Sequence, residues 1–371
     1  EQPLPTDFLT TAAAFRRAAG DWQFASDSSA IASGVFLQTG YQLYKWLLEK
    51  PLTVTDKPRL FIVPDGPLHY LSFELLLTRD YDGRWVDRDV PFLLQEKSVS
   101  YRFSGKSNPV RRGSKGWGGF GTEYDDNTLS AIEWPDMQQE NTGVALRNNG
   151  KLPYADDEIL AIAGILGGAT WLNQQATREN FLKNAERYGI LHLAMHGFVD
   201  EKSPLRSRLL FTQSVAQEDP FVYASDLYNL QLTAGLAILS ACQSGTGAWK
   251  RGEGVMSLAR AFAFAGCPSM VMSLWNVSDR SSSELMVAFY RELKAGKNKD
   301  EALRLAKLRY LQMVSPEYAK PVYWAGFVPV GEMEGLPESY FSDGHWHWGR
   351  LLALGLAVSG LLFLLYRRFM R

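Results

Sequence analysis

Between residues 59 and 330, short apolar runs alternate with segments of helical periodicity. We predict strands at residues 59–63, 117–122, 189–195, 234–240, 269–275 and 324–330, and helices at residues 156–166, 254–265, 282–295 and 300–313. Strands that alternate with helices of this length predict an α/β fold with a mostly parallel sheet that is covered on both faces. Ligands of such sheets bind beyond the carboxyl ends of the strands, so we expect functional residues directly after the apolar runs.

Two of the predicted strands are followed by side chains that can act together in catalysis. His196 follows the strand at 189–195, and Cys242 follows the strand at 234–240. An imidazole beside a thiol can take its proton, and the thiolate can then attack a carbonyl carbon. The backbone N–H groups of Gly197 and Cys242 are candidate donors to the oxyanion that forms on attack. The sequence separation of His196 and Cys242 is close to the roughly 50 residues of caspase-type His–Cys pairs.

Few other residues compete for these roles, because the chain has only two cysteines and five histidines. Cys267 lies between an apolar helix and Pro268, so we predict a buried, inert thiol. His69 follows a turn, and we predict a structural or surface histidine there. His192 shares a strand face with His196 and is predicted to be a hydrogen-bonded core residue. We predict no cofactor and no metal site, since His192 and His196 have zincin spacing but no glutamate follows the first histidine.

The ends of the chain differ from its centre. Residues 1–51 have apolar residues at helical spacing, and we predict a helical segment there. Residues 351–366 carry no charge and are flanked by Trp348, Arg350 and Arg367, so we predict a linker at 333–348 and a transmembrane helix at 349–367. A single-pass anchor in the cell membrane follows, with the side that holds the main domain left open. The formal net charge of −1 argues against a nucleic-acid partner bound through bulk charge.

Several blocks of the sequence resemble the CHAT domain, a caspase-like domain of peptidase clan CD that is related to separase and is often joined to tetratricopeptide repeats. The blocks are PDGPLHYLSFELL, LPYADDEI, HLAMHG, LSACQSGTG, GEGVMSLARAFAFAGCPSMVMSLWNVSD and YWAGFVPVG. The resemblance implies a caspase-like α/β/α sandwich with a pseudo-caspase-like lobe at 52–150 and a catalytic lobe at 151–332. It also implies that His196 is the general base and Cys242 the nucleophile of a cysteine endopeptidase.

The chain departs from basic-specific relatives at one position of the predicted substrate pocket. Metacaspases carry an acid two residues before the cysteine, and Ser240 stands there in this sequence. The pocket for the P1 side chain must therefore draw its polarity from elsewhere. Asp279, in a block that resembles separase, is our candidate acidic contact, with Ser240 as a second pocket residue. The alternative for Asp279 is an N-cap of the helix predicted from Ser282.

These observations lead to three hypotheses about function. The first is a membrane-anchored, caspase-like cysteine endopeptidase that cleaves protein substrates through an acyl-enzyme and is activated by a signal or partner, with upstream helical repeats that bind an activator protein. The second is a catalytically silent CHAT-fold scaffold for protein–protein interaction, since a fold does not imply an activity. The third is an acyl-transfer enzyme that uses the same nucleophile.

Overall fold

A computed structural model describes residues 4–21, 30–103, 115–124, 126–130, 150–200, 202–213, 218–240 and 257–341. Cys242 and the apolar run at 351–366 lie outside these residues. Within the described ranges, no helix has both the length and the apolar character needed to cross a membrane. The predicted anchor therefore stays a prediction.

The described residues form eleven strands and eleven α-helices, joined by shorter 3₁₀ turns and one π-helical turn, Lys45–Glu49. The strands are β1 Arg59–Ile62, β2 Ser98–Tyr101, β3 Trp117–Gly121, β4 Ala169–Leu172, β5 Ile190–Ala194, β6 Gly197–Phe198, β7 Arg208–Leu210, β8 Phe221–Tyr223, β9 Leu236–Leu239, β10 Ser269–Ser273 and β11 Phe327–Gly331. The helices are α1 Phe8–Gly20, α2 Ala30–Tyr44, α3 Lys50–Leu52, α4 Asp126–Ser130, α5 Ala155–Leu166, α6 Arg178–Asn184, α7 Ala224–Leu227, α8 Ser257–Ala265, α9 Asp279–Lys294, α10 Lys299–Met313 and α11 Pro321–Trp324.

Eight of these strands form one sheet in the order β1-β2-β11-β10-β9-β5-β3-β4. All of its pairs are parallel except β10 with β11, which are antiparallel. The prediction of an α/β fold with a mostly parallel sheet is confirmed. Strands β6, β7 and β8 form a second, antiparallel sheet beside the end of β5.

The central sheet is covered on both faces, as the two-residue alternation along β3 shows. Trp117 lies on one face, where its indole N–H donates to the hydroxyl of Tyr290 on α9 at 3.2 Å. Phe120 lies on the other face and packs against Phe181 of α6 with the ring centroids 5.5 Å apart. Each face of a strand takes alternate side chains, so β3 contributes large aromatic groups to both core layers.

A glycine brings α5 close to the sheet. A Cβ atom at Gly121 would lie 2.8 Å from Cγ1 of Ile159 and 3.2 Å from the carbonyl oxygen of Ala155. Glycine therefore lets the first turn of α5 pack directly on the end of β3. That first turn carries Asp156, Asp157 and Glu158, so the close packing delivers three acids to the carboxyl edge of the sheet.

The structure differs from the sequence-based prediction at several element ends. Helix α9 begins at Asp279 rather than Ser282, and its N-cap is Ser278, so the N-cap interpretation of Asp279 is wrong. The last strand begins at Phe327 rather than residue 324, because Pro321 opens a short helical turn that ends at Trp324. Strands β2, β4 and β6 to β8 were not predicted from the sequence. They have two to four residues each, which is too short for a periodic signal.

The region that carries β1 and β2 is joined to α10 by buried polar contacts. The Lys307 ammonium, which is fully buried, donates to Glu74 and to the carbonyl oxygen of Phe327. Burial raises the pKa of Glu74 and lowers the pKa of Lys307. Nearby, Arg59 forms an ion pair with Asp300 at 2.8 Å. Because Lys307, Glu74 and Asp300 are buried, each depends on its partner for compensation of its charge.

Candidate active site

Three parallel strands end side by side at the edge of the sheet where we expected the site. Gly121 of β3 pairs with Ala194 of β5, and Leu193 pairs with Leu239 of β9. The N–H of Ser240 extends this ladder by donating to the carbonyl oxygen of Leu193 at 2.9 Å, and the side chain of Ser240 is buried. Cys242 is two residues further along the sequence, outside the described residues.

His196 lies just beyond the end of β5 and is 4% exposed. Its Nε2 is 2.7 Å from the carbonyl oxygen of Gly150. A carbonyl oxygen only accepts, so Nε2 carries a proton and donates it. Burial lowers the pKa of His196 to about 4, and the hydrogen bond to Gly150 offsets this only in part. The imidazole is therefore neutral near pH 7, with its basic lone pair on Nδ1.

Tyr124 packs against the imidazole of His196. The two rings are nearly parallel, with an interplanar angle of 9° and centroids 5.0 Å apart. The backbone N–H of His196 donates to the Tyr124 hydroxyl at 2.9 Å, and that hydroxyl donates to the carbonyl oxygen of Leu210 at 2.7 Å. The histidine is thus held by its backbone N–H, by the hydrogen bond at Nε2 and by the stacking of its ring on Tyr124.

Gly197 pairs with Leu209 in the short ladder between β6 and β7. The N–H of Leu210 donates to the carbonyl oxygen of His196 at 2.8 Å, so His196 and Leu210 form a hydrogen-bonded pair and Gly197 and Leu209 a non-bonded pair. Antiparallel ladders alternate between bonded and non-bonded pairs, so the N–H of Gly197 points away from β7. This direction is compatible with the predicted oxyanion donor, and its role stays a prediction.

His192 belongs to a buried hydrogen-bond network. The network lies on the face of the sheet opposite to the one on which α6 packs. The Nε2 of His192 is 2.7 Å from a carboxylate oxygen of Glu158, and its Nδ1 is 3.0 Å from the hydroxyl of Tyr290. The indole of Trp117 donates to the same hydroxyl. The prediction of a hydrogen-bonded core histidine is confirmed.

Four acids gather at the same edge of the sheet, and we refer to Glu123, Asp156, Asp157 and Asp279 as the acidic cluster. Burial raises the pKa of Asp279 to about 7, and the charges of Glu158, Glu123 and Asp157 add to the rise. Burial and Glu123 raise the pKa of Asp156 to about 6, although the side chain of Asn173 donates to it at 2.5 Å. Asp156 and Asp279 are partly buried beside the exposed carboxylates of Glu123 and Asp157, and such an arrangement favours a positively charged ligand.

The segment 150–154 connects the acidic cluster to His196. The carbonyl oxygen of Gly150 accepts from His196 at 2.7 Å, and the N–H of Leu152 donates to the carbonyl oxygen of Glu123 at 3.4 Å. The N–H of Tyr154 donates to the Asp279 carboxylate at 2.7 Å. Four residue steps of chain span at most about 14 Å. The segment 150–154 therefore contacts both His196 and Asp279, and the role of Asp279 in a substrate pocket stays a prediction.

The remaining histidine and cysteine candidates are held in structural roles. Cys267 is 2% exposed, its thiol donates to the carbonyl oxygen of Ser269 at 3.1 Å, and burial raises its pKa to about 12. His69 is buried, with Nδ1 2.9 Å from the carbonyl oxygen of Gly66. In the part of the chain that the structure describes, no group of three or more His, Cys, Asp or Glu side chains is arranged to hold a metal ion.

Sequence reasoning missed Tyr124, Glu123 and Asp156 as members of this site. Tyr124 and Glu123 follow the glycine-rich run that ends at Gly121, so the rule that functional residues follow apolar runs could have selected them. Asp156 was predicted only as the first residue of a helix, at 156–166. Its contact with Asn173 joins distant parts of the sequence and leaves no local signal.

Comparison with known families and proteins places this geometry in context. A model of the CHAT domain matches residues 37–332. Tetratricopeptide repeat protein 28 of Mus musculus is 25% identical over 218 residues, which cover 49% of this chain and 9% of the relative. The same protein of Homo sapiens is 25% identical over 214 residues, which cover 49% of this chain and 8% of the relative. The chain thus spans less than a tenth of the length of these curated relatives.

Two solved structures align with much of the chain at low sequence identity. The Saccharomyces cerevisiae separase–securin complex aligns with a TM-score of 0.42 and 12% identity, covering 74% of this chain and 16% of that chain. The Arg specific cysteine proteinase gingipain R aligns with a TM-score of 0.44 and 9% identity, covering 91% of this chain and 81% of that chain. At these TM-scores the alignments assign neither an activity nor a substrate.

Proposed function

Because this chain belongs to the CHAT domain family, we propose that it is a caspase-like cysteine endopeptidase with Cys242 as nucleophile and His196 as general base. The observation that carries the proposal is the hydrogen bond between His196 Nε2 and the carbonyl oxygen of Gly150, at 2.7 Å. This bond fixes the tautomer, so that Nδ1 has the lone pair a base requires. The base lies at the strand end next to the one that leads to Cys242.

The proposed reaction proceeds through an acyl-enzyme. His196 Nδ1 takes the proton of the Cys242 thiol while sulfur bonds to the carbonyl carbon of the scissile peptide. The N–H groups of Gly197 and Cys242 donate to the resulting oxyanion. The C–N bond then breaks, and the imidazolium gives its proton to the leaving amine. Water attacks the thioester with His196 again as base, which releases the acid product and restores the thiol.

The low pKa of His196 supports regulation of the proposed activity. A base with a pKa of about 4 holds a proton weakly near pH 7, so it is poorly matched to deprotonating a thiol. Events that admit water or negative charge to the imidazole would raise its pKa and its basicity. We therefore propose that an activating signal or a partner protein acts on the surroundings of His196, and that upstream helical repeats bind this partner.

The acidic cluster supports a substrate with a basic P1 side chain. Asp279 is tied to the same segment, 150–154, that holds His196. Burial first, and neighbouring carboxylates second, raise the pKa values of Asp279 and Asp156, and the cation of a lysine or arginine side chain would compensate the charge of these carboxylates. We propose Asp279 as the principal P1 contact and the buried Ser240 as part of the pocket floor. Endopeptidase cleavage after lysine or arginine follows.

We also propose that the uncharged run at 351–366 anchors the protein to a membrane. The run is flanked by Trp348, Arg350 and Arg367, which suit the two interfaces of a bilayer. Alkaline carbonate extraction of membranes that contain the full chain tests this proposal. Retention in the membrane pellet supports an anchor, and complete release contradicts it.

Covalent labelling and cleavage assays test the proposed activity. The full chain in detergent is treated with peptidyl acyloxymethyl ketones that carry arginine, norleucine or aspartate at P1, and with a proteome-derived peptide library. We expect labelling of Cys242 by the arginine probe first, because the acidic cluster attracts it. Cys242→Ala and His196→Gln are expected to lower library cleavage by about 100-fold or more, as removal of a nucleophile or base does in other enzymes.

Two matched substitutions serve as controls. Cys267→Ala removes the other cysteine, which is buried, and His69→Gln removes a histidine that also lies against a backbone carbonyl oxygen. Both are expected to retain labelling and cleavage. Equal cleavage by wild type and Cys242→Ala would contradict a protease and would favour the non-catalytic scaffold instead.

A further inference from the structure

We propose that Tyr124 is a positioning residue for His196, with its hydroxyl setting the position of the His196 backbone and its ring setting the plane of the imidazole. This inference rests on the proposed function, in which His196 is the base. No sequence motif pointed to Tyr124, and its place in the site follows from contacts between β3, β5 and β7.

The Tyr124 hydroxyl replaces one hydrogen bond of a β-ladder. In the pair formed by His196 and Leu210, the N–H of Leu210 donates directly to the carbonyl oxygen of His196 at 2.8 Å. The second bond of such a pair would join the N–H of His196 to the carbonyl oxygen of Leu210. Instead, the hydroxyl accepts from that N–H at 2.9 Å and donates to that carbonyl oxygen at 2.7 Å. The hydroxyl is therefore inserted between the two strands and separates them at His196.

The phenol ring supplies a second restraint. It lies nearly parallel to the imidazole, with an interplanar angle of 9° and centroids 5.0 Å apart. The Nε2 hydrogen bond to Gly150 fixes the rotation of the imidazole within that plane. Together, the stacking and the hydrogen bond leave one orientation for Nδ1, which is the kind of restraint that holds a catalytic group in its productive geometry.

The backbone of Tyr124 is held in a conformation that a non-glycine residue seldom adopts. Its φ angle is +58°, in the left-handed region. The N–H of Tyr124 donates to the hydroxyl of Thr122 at 3.1 Å, and that hydroxyl lies 2.8 Å from the hydroxyl of Thr212. Strained residues persist where surrounding contacts determine them, and such positions concentrate at functional sites. Burial also raises the pKa of Tyr124, so its hydroxyl keeps the proton that it donates to Leu210.

Another tyrosine provides a closely matched control. Tyr101 is also buried, its hydroxyl donates to the carbonyl oxygen of Leu71 at 2.7 Å, and it accepts from the N–H of Phe73 at 2.9 Å. The two hydroxyls make the same kinds of bonds to backbone groups. Tyr101→Phe and Tyr124→Phe should therefore have similar costs in stability. An effect on His196 beyond that cost is specific to Tyr124.

The test measures His196 itself as well as the reactivity of Cys242. The full chain with isotope-labelled histidine is titrated by NMR, and His196→Gln assigns the signal. We expect Tyr124→Phe to raise the pKa of His196 by about one unit, because water enters the space left by the Tyr124 hydroxyl. We also expect alkylation of Cys242 to slow by about 10-fold, because the displacement of the base outweighs the gain in its basicity. Tyr101→Phe should change neither quantity.

The outcomes separate this inference from the proposed function. If Tyr124→Phe and Tyr101→Phe give the same His196 titration as wild type, Tyr124 has only a structural role and the inference is overturned. If Cys242 of the wild type does not react, the proposed function fails, and the His196 titration still decides the role of Tyr124. Should Tyr124→Phe not fold, Thr122→Val removes the hydroxyl that holds the Tyr124 backbone and is expected to shift the titration in the same direction.

Discussion

The carboxylate of Asp279 accepts a hydrogen bond from the backbone N–H of Tyr154 at 2.7 Å. Asp279 is the first residue of α9, and Tyr154 is the N-cap of α5, so the contact ties the beginnings of two helices together at the edge of the sheet. The same segment reaches His196 through Gly150. The candidate base and the candidate specificity acid therefore share one support, and a shift of that segment changes both.

Asp279→Asn tests the proposed P1 contact. Loss of the negative charge is expected to lower kcat/KM for substrates with arginine at P1 by about 10-fold or more, because a buried charge pair is lost in the transition state. Hydrolysis of substrates with norleucine at P1 should change little. Glu284→Gln, on the exposed side of the same helix, is the control and should leave both values unchanged. Equal losses for both substrates would argue against a role in P1 selection.

The same substitution has a predicted effect on stability that depends on pH. The native pKa of Asp279 is about 7, raised first by burial, so the wild type carries a costly buried charge only above that pH. The unfolded state ionises near its ordinary value, and the wild type therefore gains stability as pH falls from 7 towards that value. Asp279→Asn should stabilise the protein at about pH 8 by on the order of 1–2 kcal/mol, and by little at about pH 5. Urea denaturation at the two pH values measures the difference, and a substitution that destabilises at both would contradict it.

Acidification tests the burial of His196. Its native pKa of about 4 is below the ordinary value, so between about pH 6.5 and pH 4 the unfolded state binds a proton that the native state does not. The contribution of this group to the free energy of unfolding is fully present above that window. Within the window it falls by about 1.4 kcal/mol for each unit by which the pH is lowered. His196→Gln should therefore lose about 2 kcal/mol less than wild type between pH 7 and pH 4.5. The comparison of urea midpoints cancels the opposite contributions of Asp279 and Asp156, and identical acid sensitivity would show that His196 titrates normally.

The buried pair of Lys307 and Glu74 predicts a non-additive effect on stability. Lys307→Met leaves the Glu74 carboxyl buried without its cation and is expected to cost about 3–5 kcal/mol. The double substitution Glu74→Leu/Lys307→Met should recover most of this loss, because no uncompensated charge remains. Lys297→Met removes one member of a partly exposed pair, with Glu301 at 2.9 Å, and should cost about 0.5 kcal/mol or less. Guanidinium denaturation measures all three, and additive losses in the double variant would contradict the prediction.

His192 and His196 are predicted to respond in opposite ways to substitution. His192→Leu breaks the hydrogen bonds to Glu158 and Tyr290 and leaves the Glu158 carboxyl buried without a partner at that position. The free energy of unfolding should therefore fall by about 3 kcal/mol. Alkylation of Cys242 per folded molecule should stay within about 3-fold of wild type, since His192 faces the core and not the site. His196→Gln should instead suppress alkylation with a much smaller loss of stability at neutral pH. Loss of Cys242 reactivity in His192→Leu, measured well below its unfolding temperature, would place His192 in the site.

Sequence reasoning reached the class of the fold because its signal is local. Continuous apolar runs such as residues 189–195 and 269–275 mark strands that are buried on both faces, and the structure places β5 and β10 there in a mostly parallel sheet. The buried states of His192 and Cys267 were also predicted correctly from their neighbours in the chain. The edge strand β4 and the short strands β6 to β8 gave no periodic signal, because two to four residues are too few to show an alternation.

By itself, the sequence determined an α/β chain, its membership of a family and the few side chains able to act as base or nucleophile, because these properties depend on residue identity and local periodicity. Only the tertiary structure decided which groups surround His196. The carbonyl of Gly150, the hydroxyl of Tyr124 and the acidic cluster around Asp279 come from separate segments that the sheet brings to one edge. Their effects on tautomer, orientation and pKa arise from burial and distance, and neither quantity exists until the chain has folded.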